Sequence, residues 1–172
     1  MKKIVYIIDT SVILSGKPLN IMEGELITST AIESEISPGG KDYRNFQLLQ
    51  EKGLRIQSPT KNALEFITQQ AKLTGDIGRL SLADRELLAL AQDINGDTTR
   101  EALILTDDYS IQNLARFLKI RYSSFSQKGI SKKLKWYYRC PGCGKHFKDA
   151  MEICPICGTK TKMSVLYEKD SK

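Results

Sequence analysis

The sequence predicts an α/β fold: a central, mostly parallel sheet with helices on both faces, followed by a small C-terminal unit. Two observations predict this arrangement. Short apolar runs alternate with amphipathic stretches over about residues 1–122, which is the pattern of a buried parallel sheet. All four cysteines lie in one short region near the C-terminus, and a length of 172 residues allows one large core and a small appendage.

The first half of this region alternates three predicted strands with helices. KKIVYIID predicts the first strand, and TSVIL predicts the start of a short helix. ELITS predicts a second strand, and TAIESEI predicts a helix that SPGG ends. The amphipathic stretch DYRNFQLLQEKG predicts a helix closed by Gly53, and LRIQSP predicts a short strand.

The second half contains the strongest helix pattern. TKNALEFITQQAKLTG predicts an amphipathic helix with Leu64, Ile67 and Ala71 on one face. SLADRELLALAQDING predicts another, whose inward-packing residues are expected to be Leu82, Leu87, Leu88, Leu90 and Ala91. EALILT predicts a buried strand, DDYSIQNLARFLK a helix, and IRYSS a last short strand.

The charge is distributed unevenly along the chain. Residues 1–108 contain 12 basic and 16 acidic side chains, whereas residues 109–148 contain 10 basic and no acidic ones. The basic segment is a candidate surface for a polyanion, a solvated basic face being the alternative. We divide the chain into an α/β domain at 1–122, a basic linker at 123–135 and a cysteine-bound unit at 136–172.

The N-terminus combines two lysines with an apolar run, but it does not match a secretion signal. Asp9 interrupts the run, and no small-residue cleavage site follows. The chain also lacks an apolar run of about 18 residues, the length that a membrane span needs. We therefore expect a cytoplasmic protein without membrane contact, and the sequence leaves its oligomeric state open.

The four cysteines follow the spacing Cys140-x2-Cys143-x10-Cys154-x2-Cys157. Each pair can bring two thiolates onto one ion through a tight turn, in which the glycine after the second cysteine adopts a positive φ. Two pairs complete the closed four-thiolate site of one structural zinc ion, and WYYR and MSVLY would supply the strands of a zinc ribbon. Two disulfides, free thiols or an iron site are the alternatives.

The linker and the ribbon interleave cations with aromatic residues, a combination that suits RNA through phosphate attraction and base stacking. The alternative is that the aromatic residues form the small core of the ribbon. His146 is the one histidine of the chain, and we expect it to be a surface or phosphate contact. The candidate RNA-binding residues are Lys128, Lys132, Lys133, Lys135, Trp136, Tyr137, Arg139, Lys145 and Lys148.

Acidic residues stand where predicted strands end. Asp9 ends the first strand, and Asp107 and Asp108 end EALILT. Because ligands gather at the carboxyl ends of parallel strands, we expect these acids to lie near one another.

Predicted helix starts add further acids, each with a structural alternative. Ser81 with Asp84, and Thr30 with Glu33, both match capping boxes, whereas Glu35 has no such role and is the better site candidate of its helix. Asp76 in TGD is interpreted as a turn residue.

Converging carboxylates repel one another, and a divalent cation removes that repulsion. Mg²⁺ or Mn²⁺ prefers oxygen ligands and can activate a water and stabilise charge on a leaving phosphate oxygen. A chain with a single histidine excludes a ribonuclease that uses two histidines as acid and base.

Four stretches taken together resemble a PIN domain, a metal-dependent ribonuclease fold: YIIDTSVIL, ESEI, LSLADRELLALA and LILTDDYSIQNLA. This resemblance covers about residues 1–122. KLTGDIGRLSLAD, followed by TDDYSIQN and the ribbon, resembles the Nob family, the endonucleases that mature the 3′ end of small-subunit ribosomal RNA. The short form without insertions resembles archaeal members, and this second match covers nearly the whole chain.

The resemblance implies a PIN-like three-layer fold and a metal-dependent endoribonuclease. It implies cleavage of single-stranded precursor rRNA in a pre-ribosomal particle, leaving a 5′-phosphate and a 3′-hydroxyl. A PIN-type toxin ribonuclease and a non-catalytic RNA-binding assembly factor are the alternatives.

The resemblance also implies site residues. Asp9, Glu35, Asp84 and one residue of TDD would hold Mg²⁺ or Mn²⁺. The pattern Thr-x-Asp of the family favours Asp108, and the strand-end position favours Asp107 equally. Hydroxyl contacts are expected from Thr10, Ser11 and Thr106.

Overall fold

The computed structural model describes residues 2–19, 23–125, 133–149 and 151–168, except for the side chains of 133–136 and 165–168. A five-stranded sheet is formed by β1 (Lys3–Ile8), β2 (Glu25–Ser29), β3 (Leu54–Gln57), β4 (Arg100–Leu105) and β5 (Arg121–Ser123). Its helices are α1 (Thr10–Ser15), α2 (Thr30–Glu35), α3 (Lys41–Glu51), α4 (Lys61–Thr74), α5 (Leu82–Gly96) and α6 (Tyr109–Phe117).

The five strands are parallel in the order β3-β2-β1-β4-β5. The chain first adds β2 and β3 on one side of β1 and then crosses over to add β4 and β5 on the other side, so the strand order reverses between β1 and β4. Because parallel crossovers are right-handed, the reversal places α1 and α3 on one face and α5 and α6 on the other. The contacts agree, since α1 packs on α3 and α5 packs on α6. The predicted three-layer α/β fold is therefore confirmed.

The ends of the helices follow local signals in the sequence. The Thr60 hydroxyl accepts a hydrogen bond from the Ala63 amide at the start of α4, and Gly53 follows α3 with a φ of +98°. The predicted capping box of Thr30 and Glu33 is wrong, because Ser29 occupies the cap position of α2 and accepts from the Ile32 amide. The helix therefore begins one residue earlier than the capping-box pattern required.

The core lies on both faces of the sheet: Ile13 and Phe46 are buried on the side of α1 and α3, and α5 packs across β1, β2 and β4 on the other. Leu87, Leu88 and Leu90 of α5 are buried, as predicted, together with Ile7 and Ile104 of the strands. The prediction that Leu82 packs inward is wrong, since its position in the first turn of α5 leaves it 51% exposed. Within the described ranges, every helix is too short or too polar to cross a lipid bilayer.

The C-terminal region forms a second, antiparallel sheet with the strand order β7-β6-β8. Its strands are β6 (Lys133–Arg139), β7 (His146–Phe147) and β8 (Lys162–Glu168), so WYYR and MSVLY do lie in paired strands. We call this sheet and its four thiols the ribbon. β6 begins inside the predicted linker 123–135, and the division into 1–122, 123–135 and 136–172 stays a prediction.

The ribbon contacts the first sheet's helices. β6 packs against α6. The Tyr138 hydroxyl lies 3.8 Å from the position that a Cβ would take at Gly78. Gly78 ends a short 3-10 helix, Asp76–Gly78, that the sequence did not predict.

Asp76, which the sequence suggested as a turn residue, begins this 3-10 helix and is a fully buried carboxylate. Its Oδ2 accepts a hydrogen bond of 2.5 Å from the Thr74 hydroxyl, and both of its oxygens accept from Asn113 Nδ2 at 3.1 Å. Asn113 belongs to α6, so this contact ties the 3-10 helix to α6. A buried charge is tolerated when it is hydrogen-bonded in this way.

We expect Asp76→Ala to lower the free energy of unfolding by roughly 2–4 kcal/mol, because the donors of Thr74 and Asn113 lose their acceptor in a buried site. Urea denaturation measures this change. Glu65→Ala, which removes an exposed carboxylate from α4, is the control and should change the free energy by less than about 0.5 kcal/mol. Equal stabilities of the two variants would contradict a structural role of the Asp76 network.

Candidate active site

Asp9 lies at the carboxyl end of β1 and is 5% exposed. It occupies the cap position of α1 but makes no capping hydrogen bond with its side chain. Instead its Oδ2 accepts two hydrogen bonds of 2.7 Å, from the hydroxyls of Ser11 and Thr106. Burial raises the pKa of Asp9, while these two hydrogen bonds oppose that rise.

Asp84 stands in the first turn of α5 and forms the predicted capping box with Ser81. Its Oδ2 accepts from the Ser81 amide at 2.7 Å, and its own amide donates to the Ser81 hydroxyl at 3.1 Å. Burial raises the pKa of Asp84, and the negative charge of Asp108 raises it further. The capping bond engages Oδ2 only, so the structural role leaves Oδ1 available to a cation.

Glu35 is the last residue of α2 and is exposed. Partial burial and the charges of Asp84 and Asp9 raise the pKa of its carboxyl. Thr10 Oγ1 is buried and lies near enough to lower that pKa, although it makes no hydrogen bond of standard geometry within the described residues. Glu86 of α5 accepts a 3.0 Å hydrogen bond from the Ala31 amide, which ties α2 to α5.

Asp107 and Asp108 follow β4 and make different contacts. Asp108 caps α6, since its Oδ1 accepts from the amides of Ser110 at 2.6 Å and Ile111 at 3.3 Å. Asp107 Oδ1 accepts from the Ser124 hydroxyl and the Phe125 amide, both at 2.7 Å. Asp108 is therefore the member of the pair that caps the next helix.

The structure brings four of the predicted acids into electrostatic range of one another; we call Asp9, Glu35, Asp84 and Asp108 the acid cluster. Each of the first three has its pKa raised by the charge of another member. Within the described part of the chain, none of the four forms an ion pair. Among the described residues, the four thiols are the one group of three or more histidine, cysteine, aspartate or glutamate side chains whose ligand atoms all lie within 4.8 Å of one another. The oxygens of the acid cluster are spaced more widely.

The four cysteines meet as predicted, in a second potential metal site. Sγ of Cys140 lies 3.3 Å from that of Cys157, and Sγ of Cys143 lies 3.6 Å from that of Cys154. These distances exceed the roughly 2.05 Å of a disulfide and approach the roughly 3.8 Å between thiolates on one tetrahedral zinc ion. The described cysteines are all free thiols.

Glycines shape both turns of the thiol site. Gly144 and Gly158 follow the second cysteine of each pair with φ values of +74° and +72°, as the sequence predicted. A Cβ at Gly142 would lie 2.6 Å from Thr159 Oγ1, so the two turns approach closely. Contact with Thr159 lowers the pKa of the Cys157 thiol to about 6, which favours the thiolate that a metal binds.

The described part of the predicted RNA-binding surface is open to solvent. Arg139, Lys145 and Lys148 are exposed. The centroid of the Tyr137 ring lies 4.6 Å from that of the exposed His146 ring, and the two ring planes are tilted by 50°. Other predicted contacts lie outside the described residues or have side chains outside them: Lys128, Lys132, Lys133, Lys135 and Trp136.

The sequence profile of the family described as PIN domain of ribonuclease matches residues 6–94, which is more than half of the chain. The chain belongs to the PIN-domain ribonuclease family. The matched range includes Asp9, Glu35 and Asp84 of the acid cluster. The predicted PIN-domain resemblance and the prediction of an endoribonuclease are therefore confirmed.

Relatives with two different names cover most of this PIN-domain protein. Endoribonuclease Nob1 of Pyrococcus abyssi is 32% identical over 163 residues, or 94% of each chain, and Endoribonuclease Nob1 of Archaeoglobus fulgidus is 33% identical over 156 residues, or 91% of this chain and 88% of the relative. Ribonuclease VapC1 of Thermoplasma acidophilum is 39% identical over 158 residues, or 92% of this chain and 77% of the relative. Alignments of this length extend past β5 into the ribbon region.

Outside the acid cluster, this PIN-domain ribonuclease contains one buried network that spacing alone did not predict. The buried Asp76 network lies beside α6, and its partner Asn113 is 37 residues away in sequence. Ser11 and Thr106 contact Asp9, in line with the expected hydroxyl contacts. Which carboxylates bind a metal ion stays a prediction.

We expect the stability of the metal-free protein to depend on the charge of Asp9. The pKa of Asp9 is raised above its ordinary 3.8, so the folded state binds a proton more tightly than the unfolded state does. Stability from this group therefore falls as the pH rises from 3.8 through the raised pKa. In the presence of a chelator, the stability of Asp9→Asn relative to the parent should therefore increase as the pH rises from about 4 to about 7. Urea denaturation of both proteins at each pH measures this difference.

Asp97→Asn is the control with the opposite sign. Hydrogen bonds from Thr99 lower the pKa of Asp97, so its contribution is present above 3.8 and is lost as the pH falls. From about pH 4 to 7 this variant should therefore be less stable than the parent by a nearly constant amount, and the difference should shrink only as the pH falls below that range. Parallel trends for the two variants would contradict the electrostatic description of the site.

Proposed function

We propose that this protein is a metal-dependent endoribonuclease that cleaves single-stranded precursor rRNA at the 3′ end of the small-subunit rRNA, in the cytoplasm. The observation that carries the proposal is the acid cluster, in which the pKa of Asp9, of Glu35 and of Asp84 is raised by burial and by the charge of another member. The names of the Nob1 relatives support the RNA class. The pre-ribosomal particle is the expected partner.

The chemistry of the donor set fits a divalent ion. Carboxylate oxygens are the ligands that Mg²⁺ and Mn²⁺ prefer, and a cation removes the repulsion between the four acids. Asp9, Glu35, Asp84 and Asp108 would hold it. When bound, such an ion polarises a phosphate oxygen and lowers the pKa of water.

Residues of the chain orient these acids before RNA binds. Ser11 and Thr106 fix Oδ2 of Asp9, and the capping bonds fix Asp84 and Asp108 at the N-termini of α5 and α6. This preorganisation keeps the acids in position although their charges repel.

The ribbon is proposed to bind RNA and to be stabilised by one zinc ion on Cys140, Cys143, Cys154 and Cys157. A closed four-thiolate site leaves no open position, so catalysis is not expected there. Arg139, Lys145 and Lys148 supply exposed charge, and Tyr137 and His146 supply rings for stacking. Phosphate attraction and hydrolysis are thus assigned to different parts of the chain.

A second candidate function is that of a toxin-type ribonuclease acting on messenger or transfer RNA. The 39% identity to Ribonuclease VapC1 favours it, and that alignment reaches into the ribbon region, so the ribbon does not separate the two. The deciding experiment offers the purified protein two substrates, a transcript spanning the 3′ end of small-subunit rRNA and a pool of messenger and transfer RNA, and maps the product ends. A unique cut at the rRNA 3′ end supports the first function; cuts confined to the pool support the second.

Asp9→Asn and Glu35→Gln should lower the cleavage rate by more than about 100-fold, because each removes negative charge that a divalent ion needs. RNA affinity, measured by fluorescence anisotropy in a chelator, should stay within about twofold, since the ribbon supplies binding. The rate is measured with Mn²⁺ present and again after chelation.

Glu33→Gln is the matched control for Glu35→Gln, because Glu33 is exposed on the same short helix two residues away. It should cleave at the parental rate. Parental activity of Asp9→Asn, or activity that survives chelation, would refute the assignment of the acid cluster.

Cys154→Ser should release zinc, measured by elemental analysis of the purified protein, because it removes a buried ligand of the four-thiol site. Affinity for long RNA should fall as the ribbon loses its metal. Lys160→Ala, an exposed change in the same loop, should retain one zinc ion per chain. Intact masses that fit two disulfides in the parent protein would contradict the zinc site.

A further inference from the structure

Asp107 joins the active-site loop to the chain that leads out of the first sheet. Its Oδ1 accepts two hydrogen bonds of 2.7 Å, from the Ser124 hydroxyl and the Phe125 amide. These two residues directly follow β5, and Phe125 is partly buried against the hydrophobic core. A single carboxylate oxygen thus fixes the direction in which the chain leaves β5.

The same residue is connected to the buried acid Asp9. The Asp107 amide donates to the Ser11 hydroxyl at 3.2 Å, and that hydroxyl donates to Asp9 Oδ2 at 2.7 Å. A continuous run of hydrogen bonds therefore extends from Phe125 through Asp107 and Ser11 to Asp9. Asp108 is linked to Asp9 separately, because its amide donates to the Thr106 hydroxyl at 3.0 Å.

We infer that Asp107 is a positioning residue whose hydrogen bonds hold residues 124–125, where the chain leaves β5, against the loop 106–108 between β4 and α6. We call this contact the latch, and it sets where the ribbon presents RNA to the acid cluster. The inference rests on the proposed function. The ribbon lies close to this region, since β6 packs against α6 and the Tyr138 hydroxyl lies beside Gly78. The helix that β6 contacts begins directly after Asp108.

The contacts of the two aspartates distinguish their roles. Asp108 Oδ1 accepts from the amides of Ser110 and Ile111 at the start of α6. Asp107 Oδ1 accepts two short hydrogen bonds, from the Ser124 hydroxyl and the Phe125 amide just after β5. A latch needs an acceptor oxygen, whereas a metal ligand needs negative charge, so asparagine at position 107 separates the two roles.

The test compares Asp107→Asn, Asp107→Ala and Asp108→Asn in the full chain. Two substrates are used: a long single-stranded RNA that reaches both the acid cluster and the ribbon, and a short oligonucleotide that reaches the acid cluster only. The measured quantities are kcat, KM and the Mn²⁺ concentration for half-maximal activity.

Asp107→Asn should match the parent within about twofold, because the amide oxygen still accepts both hydrogen bonds. Asp107→Ala should raise KM for the long RNA about tenfold, because a ribbon that is no longer held in place lowers the effective concentration of the bound RNA at the acid cluster. In the same variant, kcat on the short oligonucleotide and the Mn²⁺ requirement should be unchanged. Asp108→Asn should raise the Mn²⁺ requirement. Ser124→Ala, which removes one of the two bonds, should fall between the parent and Asp107→Ala.

Two results would overturn the latch. One is an Asp107→Asn variant that loses activity and needs more Mn²⁺, since Asp107 would then act through its charge. The other is an Asp107→Ala variant with an unchanged KM for the long RNA.

Two measurements need no cleavage and keep the latch testable if the nuclease assignment itself fails. Hydrogen exchange of the Phe125 amide should accelerate in Asp107→Ala and stay slow in Asp107→Asn. Affinity for the long RNA in a chelator should weaken in Asp107→Ala only. A parent protein that cleaves neither RNA with any divalent ion refutes the proposed function, whereas unchanged exchange and affinity in Asp107→Ala refute the latch.

Discussion

The parallel register of β1 on β4 is the constraint on which the site depends. Pairing runs from Lys3 with Arg100 to Ile8 with Leu105, so both strands end at the same level. The Asp9 amide then donates to the Leu105 carbonyl, and Thr106 comes within 2.7 Å of the Asp9 carboxylate. A slip of one residue would turn every side chain of the strand to the other face and separate these groups. The buried isoleucines of both strands oppose that slip, because it would expose the core.

This register concentrates negative charge at the carboxyl ends of β1 and β4, the neighbouring strands between which the strand order reverses. Burial disfavours the ionised form of Asp9, and neighbouring acids disfavour it further, while hydroxyl donors stabilise it. The site therefore stores an unfavourable interaction that a cation would relieve. The described cation nearest to Asp84 in sequence is Arg85, whose charge lowers the pKa of Asp84. Among the described residues it forms no ion pair with Asp84 and donates instead to the Ser81 carbonyl and the Thr68 hydroxyl. An arginine that paired with the cluster would remove its affinity for divalent ions.

Local signals made much of this arrangement predictable from the sequence. Apolar runs predicted the strands, glycines and hydroxyls predicted most helix ends, and the spacing of the cysteines predicted their cluster, because each depends on neighbouring residues. The failures concern partners distant in sequence or shifts of one residue. The sequence TGD around Asp76 is typical of a turn, but the carboxylate is buried because Asn113, 37 residues away, donates a hydrogen bond to it. Ser29 competed with Thr30 for one cap, and only the exact start of α2 decides between them. Asp107 and Asp108 differ through contacts with residues 124–125 and 110–111, which no short motif contains.

The separation of charge along the chain fits the two tasks that we propose for the molecule. A cleft that binds a divalent ion must keep lysine and arginine away from its carboxylates, yet RNA must be attracted by cations. Placing 10 basic residues and no acidic ones at 109–148 satisfies both conditions only if the basic segment is held at a fixed place beside the cleft. Hydrogen bonds at Asp107 and the packing of β6 on α6 are the described contacts capable of holding it there. The rigidity of that junction, rather than the acid cluster alone, would then determine which phosphate of a bound RNA reaches the carboxylates.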